Sequence, residues 1–440
     1  MGKNFEGGIH PSCNKITAKE KIKIKTDFSK VILPVSQHIG SLAEPIVKIG
    51  DEVKKGQLIA QTKDFVSSPV HSSIFGKVID IAPYPHPLGK NILSIVIESD
   101  DEEDDEIWDE KILGHLNYNQ LSPSELCNII HNAGIVGLGG ASFPTHVKLT
   151  PPKDKPIDTV ILNGVECEPY LTADHRLMLE HPEEIIIGLK IILKILNVKT
   201  AYIGIEENKE DAIREMNKVI FKEKGIKVIP LKVKYPQGAE KQLIKAILNR
   251  EVPSGGLPFD IGVVVQNVGT AFAIKEAVME GKPLIERVIT VTGKGIIKPQ
   301  NLKVSIGALF KDVIEECGGY NGNLGKIIMG GPMMGIAQYT DEVPVIKGCS
   351  GILVFPQNEV KGKDEFSCIS CGRCINACPM KLSPCFICDY IERENFESAE
   401  EYGILDCIEC GCCSYICPSN RKIIHWVKYG KLELQQRKKK

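Results

Sequence analysis

The chain has 440 residues, 43% of them hydrophobic, and its 54 Lys and Arg against 56 Asp and Glu leave a formal net charge of -2. That length and apolar content call for several folded domains, and balanced charge excludes the broad basic field that holds nucleic acid. The opening Met1-Gly-Lys-Asn-Phe-Glu contains no apolar signal region, and with 16 cysteines it points to a reducing, cytoplasmic setting where thiolates stay available as metal ligands.

Residues 1–98 read as a small β module, because between Ile32 and Ile97 short β-rich runs alternate with Gly and Pro turns. The phrases Gly50-Asp-Glu-Val-Lys-Lys-Gly56 and Pro69-Val-His-Ser-Ser-Ile-Phe-Gly76 resemble the barrel-sandwich hybrid of biotinyl and lipoyl carrier domains. The turn Thr62-Lys-Asp-Phe-Val-Ser-Ser68 lacks the carrier Met-Lys-Met and places Lys63 too early for a hairpin tip. A docking or structural module is therefore expected in preference to a covalently loaded arm. Residues 99–120, with Asp100-Asp-Glu-Glu-Asp-Asp-Glu106, read as an acidic, self-repelling linker.

Residues 121–284 alternate apolar strands with amphipathic helices. Thr159–Leu162, a helix near 176–196, Ala201–Ile205, a helix with Ala212, Ile213, Met216, Val219 and Ile220 on one face, and Val228–Val233 predict an α/β layer with parallel strands. Its most apolar helix, Ile185–Leu196, is too short to span a bilayer and carries Lys190 and Lys194. Residues 285–355 return to short strands around one helix, 306–317, the pattern of a β-grasp insert of SLBB-like type.

Residues 356–440 carry the most specific signal. Cys368-x2-Cys371-x2-Cys374-x3-Cys378-Pro379 is repeated as Cys407-x2-Cys410-x2-Cys413-x3-Cys417-Pro418, the spacing of a two-cluster bacterial ferredoxin. Three close thiolates wrap one cubane and the fourth reaches the other cluster. This assigns Cys368, Cys371, Cys374 and Cys417 to one 4Fe-4S cluster and Cys407, Cys410, Cys413 and Cys378 to the second. Zinc sites and disulfide frameworks also use paired C-x2-C, but neither accounts for two copies that each end in Cys-Pro. Cys412 breaks the repeat spacing and reads as a flanking thiol. Cys385 and Cys388 read as buried or spare thiols, with a third metal site as the alternative.

A second site is signalled by four separated segments. Gly134-Ile-Val-Gly137-Leu-Gly139-Gly140-Ala-Ser-Phe143-Pro-Thr-His-Val-Lys148 lacks the spacing of a dinucleotide fingerprint, so taken alone it is only a turn. It is followed by Asn163-Gly-Val-Glu166-Cys-Glu168-Pro169 at a strand end, Pro236-Gln-Gly238-Ala-Glu240, and Gln266-Asn267-Val-Gly-Thr270. In this order the four resemble the Rossmann-like flavin- and NADH-binding subunit of respiratory complex I. That resemblance implies that Gly137, Gly139, Gly140, Phe143 and Lys148 shape the NAD(H) side, with Phe143 stacking on the nicotinamide nucleotide. It also implies that Asn163, Glu166 and Glu168 lie along FMN, and that Gly238, Glu240, Gln266, Asn267 and Thr270 complete its pocket. Val165, Cys167 and Gln266 stand where that relative usually has Asp, Ser and Asn, which puts those individual contacts in question. Hydride transfer needs no acid or base, so Glu168 is read as a positioning and electrostatic residue beside Phe143.

Taken end to end, Phe5-Glu-Gly-Gly-Ile-His-Pro11, Leu33-Pro-Val-Ser-Gln-His-Ile-Gly40, Gly330-Gly-Pro-Met-Met-Gly335 and the domains above resemble the RnfC family. The resemblance implies a peripheral subunit on the cytoplasmic face of the cell membrane, with membrane subunits and a ferredoxin-like iron-sulfur subunit as partners. Electrons would pass between NAD(H) and ferredoxin through FMN and two 4Fe-4S clusters, coupled to ion translocation elsewhere in the complex. The alternatives are a soluble NADH-dependent reductase, of the cobalamin-reductase or diaphorase kind, and a non-enzymatic electron-relay or docking protein.

Overall fold

The computed structural model describes residues 4–100, 117–360, 362 and 364–438. Most of the acidic run, and Lys439 and Lys440, lie outside the described residues. The N-terminal module starts with β1 (Ile22–Lys25), which joins a distant sheet, and continues with β2 (Lys30–Pro34), β3 (Glu44–Pro45) and β4 (Glu52–Val53). After these come β5 (Leu58–Gln61), β6 (Val70–His71), β7 (Gly76–Pro85) and β8 (Asn91–Glu98). They form two sheets ordered β2-β8-β7-β4 and β3-β5-β6. Strand alternation explains how the module is placed: Val31, Leu33, Ile95 and Ile97 fill its interior, while Ile32 and Val96 on the opposite face pack on Leu309 of the insert. Both faces of β2 and β8 are thus buried, so the module is fixed to the rest of the chain.

The α/β layer opens with α1 (Pro123–Asn132), whose Ser122 and Glu125 form a capping box with Pro123 in the first turn, and α2 (Thr145–Lys148). Then follow β9 (Thr159–Asn163), α3 (Ala173–Glu180), α4 (Pro182–Leu196), β10 (Ala201–Glu206), α5 (Glu210–Val219), β11 (Ile226–Leu231), α6 (Glu240–Leu248), β12 (Val263–Asn267) and α7 (Val268–Lys275). The single helix expected near 176–196 is two, broken at His181 because Pro182 has no N–H to continue the first helix and instead begins the second. The strand placed at 228–233 runs two residues earlier. All pairings in this sheet are parallel, in the order β11-β10-β9-β12.

The insert contains β13 (Glu286–Thr292), β14 (Gln300–Ser305), α8 (Phe310–Glu316), β15 (Leu324–Met329), β16 (Ile336–Gln338) and β17 (Gly351–Pro356). Its helix begins four residues later than expected, since Ile306 is held in the sheet by Ile285 and Gly307 adopts a positive φ of 96°. β1 pairs in parallel with β14 and so completes a six-stranded sheet.

The C-terminal part is helical: α9 (Arg373–Ala377), α10 (Pro384–Glu392), α11 (Phe396–Glu401), α12 (Cys412–Ile416) and α13 (Ile423–Arg437). The sequence repeat is a structural repeat. Ser370 and Glu409, Gly372 and Gly411, and Lys381 and Asn420 take left-handed conformations at matching positions. This part has its own core of Ile387, Ile391, Phe396, Ile404, Ile423, Val427 and Leu434. Among the described residues, no helix is long and apolar enough to cross a membrane.

Candidate flavin and iron-sulfur site

Open parallel sheets bind ligands beyond the carboxyl ends of the strands, where the strand order reverses. Here the chain lays β9, β10 and β11 to one side and returns to place β12 against the other edge of β9. The reversal falls between Asn163, the last residue of β9, and Gln266 and Asn267, the last residues of β12. The four segments singled out from sequence meet there. The Gly137 N–H donates to the Phe143 carbonyl (2.8 Å), closing the glycine loop, and the Leu138 N–H donates to Thr270 Oγ1 (2.9 Å). Asn163 Nδ2 donates to the Gly238 carbonyl (2.8 Å), and Lys148 pairs with Glu240 at 2.7 Å. Phe143 is half-buried. Gly140, at φ 117°, has open space where a side chain would stand.

The turn after β9 is held from three sides. Glu166 sits at φ 45° and its carboxylate accepts the Asp174 (2.8 Å) and His175 (3.2 Å) N–H groups at the start of α3, a favourable place for an anion. The Glu168 carboxylate accepts the Met333 (3.1 Å) and Met334 (2.7 Å) N–H groups, yet burial outweighs these bonds and raises its pKa. Lys15 donates to the Glu166 and Glu168 carbonyls, both at 2.8 Å, and to Leu171. Both acids therefore set the shape of the turn. Of the three departures, Val165 is a core residue, and Cys167 accepts the Gly238 N–H (3.3 Å) while burial pushes its thiol up to about 12. Gln266 keeps a buried Nε2 without a partner, as does Gln237 at both side-chain atoms.

Several residues of this region gave no sequence signal. Lys15 stands 151 positions from Glu166, and Lys209 lies in a run of polar residues that reads as solvated. It is instead buried, donating to the Val165 carbonyl (2.7 Å) and paired with Glu206 at 3.3 Å. Asp174 is pushed up to about 7, chiefly by burial and then by Glu166, while Arg287 and the Asn267 amide, bonded to it at 2.7 Å, oppose the shift. Nothing local in the sequence marks Asp174, since Thr172 before α3 makes no side-chain cap.

On the iron-sulfur side, Cys378 lines one cavity together with Cys407, Cys410, Cys412 and Cys413. Backbone N–H groups point at thiolate positions: Leu382 to Cys378 Sγ (3.4 Å), Glu409 to Cys407 Sγ (3.3 Å) and Ser370 to Cys368 Sγ (3.5 Å). Such bonds help set cluster potentials. Among the described residues no three His, Cys, Asp or Glu side chains close on a single ion, and in a cubane each thiolate binds a different iron. Cys385 abuts Cys374, and Cys388 is buried and bonded to Glu392.

The two cysteine quartets are not equivalent. Cys410 and Cys412 pack with Tyr235, Cys167 and Met333 of the flavin turn region, the buried Tyr235 hydroxyl donates to the Cys410 carbonyl (2.9 Å), and Gln242 of α6 donates to the Pro379 carbonyl (3.2 Å). Cys368 and Cys371 are exposed. Cys410 and the Cys378-Pro379 corner therefore lie against the α/β layer, whereas Cys368 and Cys371 face outward.

The residues fit the implied groups. Orphaned amide atoms of Gln237 and Gln266 and the open face at Gly140 suit a polar flavin and its phosphate, and the clustered thiols with N–H donors suit cubanes. Family models match in chain order: RnfC barrel sandwich hybrid domain at residues 3–102, Nuo51 FMN-binding domain at 130–276, SLBB domain at 288–337 and 4Fe-4S dicluster domain at 361–418. Among curated proteins, the chain is 52% identical over 98% of its length to a subunit of the proton-translocating ferredoxin:NAD(+) oxidoreductase complex of Clostridium ljungdahlii, covering 94% of that protein. It is 46% identical to the corresponding subunit of the Na(+)-translocating ferredoxin:NAD(+) oxidoreductase complex of Acetobacterium woodii, covering 99% of this chain and 98% of that one. It is 40% identical to the corresponding subunit of the ion-translocating oxidoreductase complex of Rhodobacter capsulatus, covering 99% and 84%. A chain with these four domains in this order and these relatives along nearly its whole length belongs to the RnfC family, whose members are subunits of ion-translocating oxidoreductase complexes.

Proposed function

We propose that the chain is the NAD(H)-facing subunit of a ferredoxin:NAD oxidoreductase complex, moving electrons between a dinucleotide and a one-electron partner. The observation that supports this best is the packing of Cys410 and Cys412 with Tyr235 and with Cys167 of the turn after β9, joined by the Tyr235 hydroxyl donating to the Cys410 carbonyl. Flavin, when bound, supplies the conversion between a hydride, which carries two electrons, and single-electron carriers.

The chain's own residues arrange that conversion. Gly137, Gly139 and Gly140 bring backbone close to the dinucleotide, Phe143 offers a stacking face, and Lys148 supplies a cation. Asn163, Gly238, Glu240, Gln266, Asn267 and Thr270 hold the flavin, and Glu166 and Glu168 fix the turn beside it. Tyr235, Met333 and Cys167 exclude water between this turn and the proximal quartet of Cys378, Cys407, Cys410 and Cys413, shortening the path to Cys410. Cys368, Cys371, Cys374 and Cys417 present the distal cluster at the surface, where a ferredoxin-like subunit receives or delivers one electron. Membrane subunits would carry the ion step and hold the chain at the cytoplasmic face.

The test uses membranes from cells lacking this chain, supplied with reduced ferredoxin and NAD+. NADH formation should be absent, return on adding the purified full chain, and sediment with the membranes. Restored activity that stays in the supernatant favours the soluble reductase, and activity without the chain refutes the reading.

A further inference from the structure

Lys347 is a buried amine that the electron path does not use. It is 1% exposed and faces no carboxylate among its bonded partners. Its Nζ donates to the Pro69 carbonyl (2.7 Å), the Gly134 carbonyl (2.8 Å) and Ser68 Oγ (3.3 Å), and its backbone N–H donates to Gln37 Oε1 (3.1 Å). One side chain thus joins the N-terminal module, at the hairpin turn before β6, to the residue that opens the glycine loop. Gly134 has φ 68°, and a Cβ there would stand 2.8 Å from Lys347 Nζ and 2.7 Å from the Pro69 carbonyl, so this three-way approach needs glycine. His38, His71, His131 and His146 surround the junction, and burial lowers the pKa of each.

The next two residues reach the far end of the same loop. A Cβ on Gly348 would collide with Ser142 Oγ, while the Ser142 Cβ would remain 3.5 Å away. The Cys349 carbonyl accepts Arg287 Nε (2.9 Å), and the same guanidinium donates to the Leu138 carbonyl (2.6 Å). The Ser142 carbonyl in turn accepts the Ile39 N–H of the N-terminal module (3.2 Å).

We propose that Lys347-Gly348-Cys349 is a clasp that presses the glycine loop, from Gly134 to Phe143, against the N-terminal module and so sets affinity for the dinucleotide. Lys347 and Gly348 are positioning residues: neither reaches the strand reversal, and both act through the loop. The N-terminal module accordingly has a defined task, as the fixed wall against which the loop is held. The inference rests on the loop forming the NAD(H) side, as proposed above.

The test measures NAD+ binding to the oxidised, flavin- and iron-loaded full chain by calorimetry, so that no turnover is needed, with NADH-dependent flavin bleaching as the kinetic readout. Lys347→Met and Gly348→Ala should keep wild-type flavin and iron content. Displacement of the loop should raise the NAD+ dissociation constant and the KM for NADH about ten- to hundredfold, with bleaching at saturating NADH little changed. Adding Ser142→Ala to Gly348→Ala removes the colliding oxygen and should bring both constants back toward wild type. Wild-type affinity in both single variants overturns the clasp, as does a double variant that is not rescued. Loss of flavin in step with loss of NAD+ affinity makes these residues merely structural and also overturns it. An unmutated protein that holds flavin but never binds NAD+ overturns the loop's assignment, and the clasp with it.

Discussion

Replacing Lys15 by Met isolates the contribution of one buried ammonium to the flavin turn. The side chain donates to the Glu166 and Glu168 carbonyls at 2.8 Å each and to the Leu171 carbonyl, and burial lowers its pKa to about 8. Each hydrogen bond from a charged donor has a net worth of about 1.5–3 kcal/mol, while burying the ammonium costs several kcal/mol. The substitution leaves three carbonyls without their donor in a turn that already holds Glu166 at φ 45° and Tyr170 at φ 70°, conformations that cost on the order of 1–3 kcal/mol apiece. A turn that relaxes to shed that strain should lose about 3 kcal/mol of flavin binding, more than a hundredfold in the dissociation constant. The assay is fluorescence titration of flavin-free, iron-loaded protein with FMN, with iron content as the control for folding of the C-terminal part. Affinity within about threefold of wild type would refute the claim that Lys15 shapes the site.

Other consequences follow from the same geometry. Tyr235→Phe removes the donor to the Cys410 carbonyl, at a cost of about 1–3 kcal/mol for the stranded acceptor. Only the cluster held by Cys407, Cys410, Cys413 and Cys378 should change its midpoint in a redox titration followed by electron paramagnetic resonance, and equal shifts in both clusters would count against the assignment of proximal and distal quartets. Cys378→Ala should abolish the signal of that same cluster although Cys378 lies in the first motif; loss of the other signal would reverse the crossover. Burial holds the Lys347 ammonium down at about 7, against an ordinary 10.5. Between these values the unfolded chain binds the extra proton, so folded stability rises with pH, by at most about 1.4 kcal/mol per unit. The melting temperature of the wild type relative to Lys347→Met should therefore climb from about pH 7 to 9, and a flat difference would contradict the buried amine.

The cysteine repeat was the most legible part of the chain because cluster ligands must keep fixed local spacing, and that spacing reappears as paired left-handed residues at Ser370 and Glu409. Parallel strands were readable from apolar runs and Asn163 from its place at a strand end, whereas Gln266 and Asn267 were read as a polar turn through the four-segment resemblance and close a strand, β12, that was not expected. What escaped was long-range. Lys15, Lys209 and Lys347 look like ordinary surface cations in sequence, and only folding shows that backbone carbonyls, not water, receive their protons. The break at Pro182 is masked because the apolar period carries on across it, although proline alone predicts the interruption. The role of Cys167 could not be read from its spacing; burial raises its thiol pKa against the opposing Gly238 N–H and packs it into the turn.

The most direct test of the electron path is an anaerobic NADH titration of the full chain loaded with FMN, iron and sulfide, following flavin absorbance and cluster resonance together. Flavin should bleach and reduced-cluster signals should appear in the same titration; assembled clusters beside a chain that neither binds flavin nor bleaches with NADH would contradict the path.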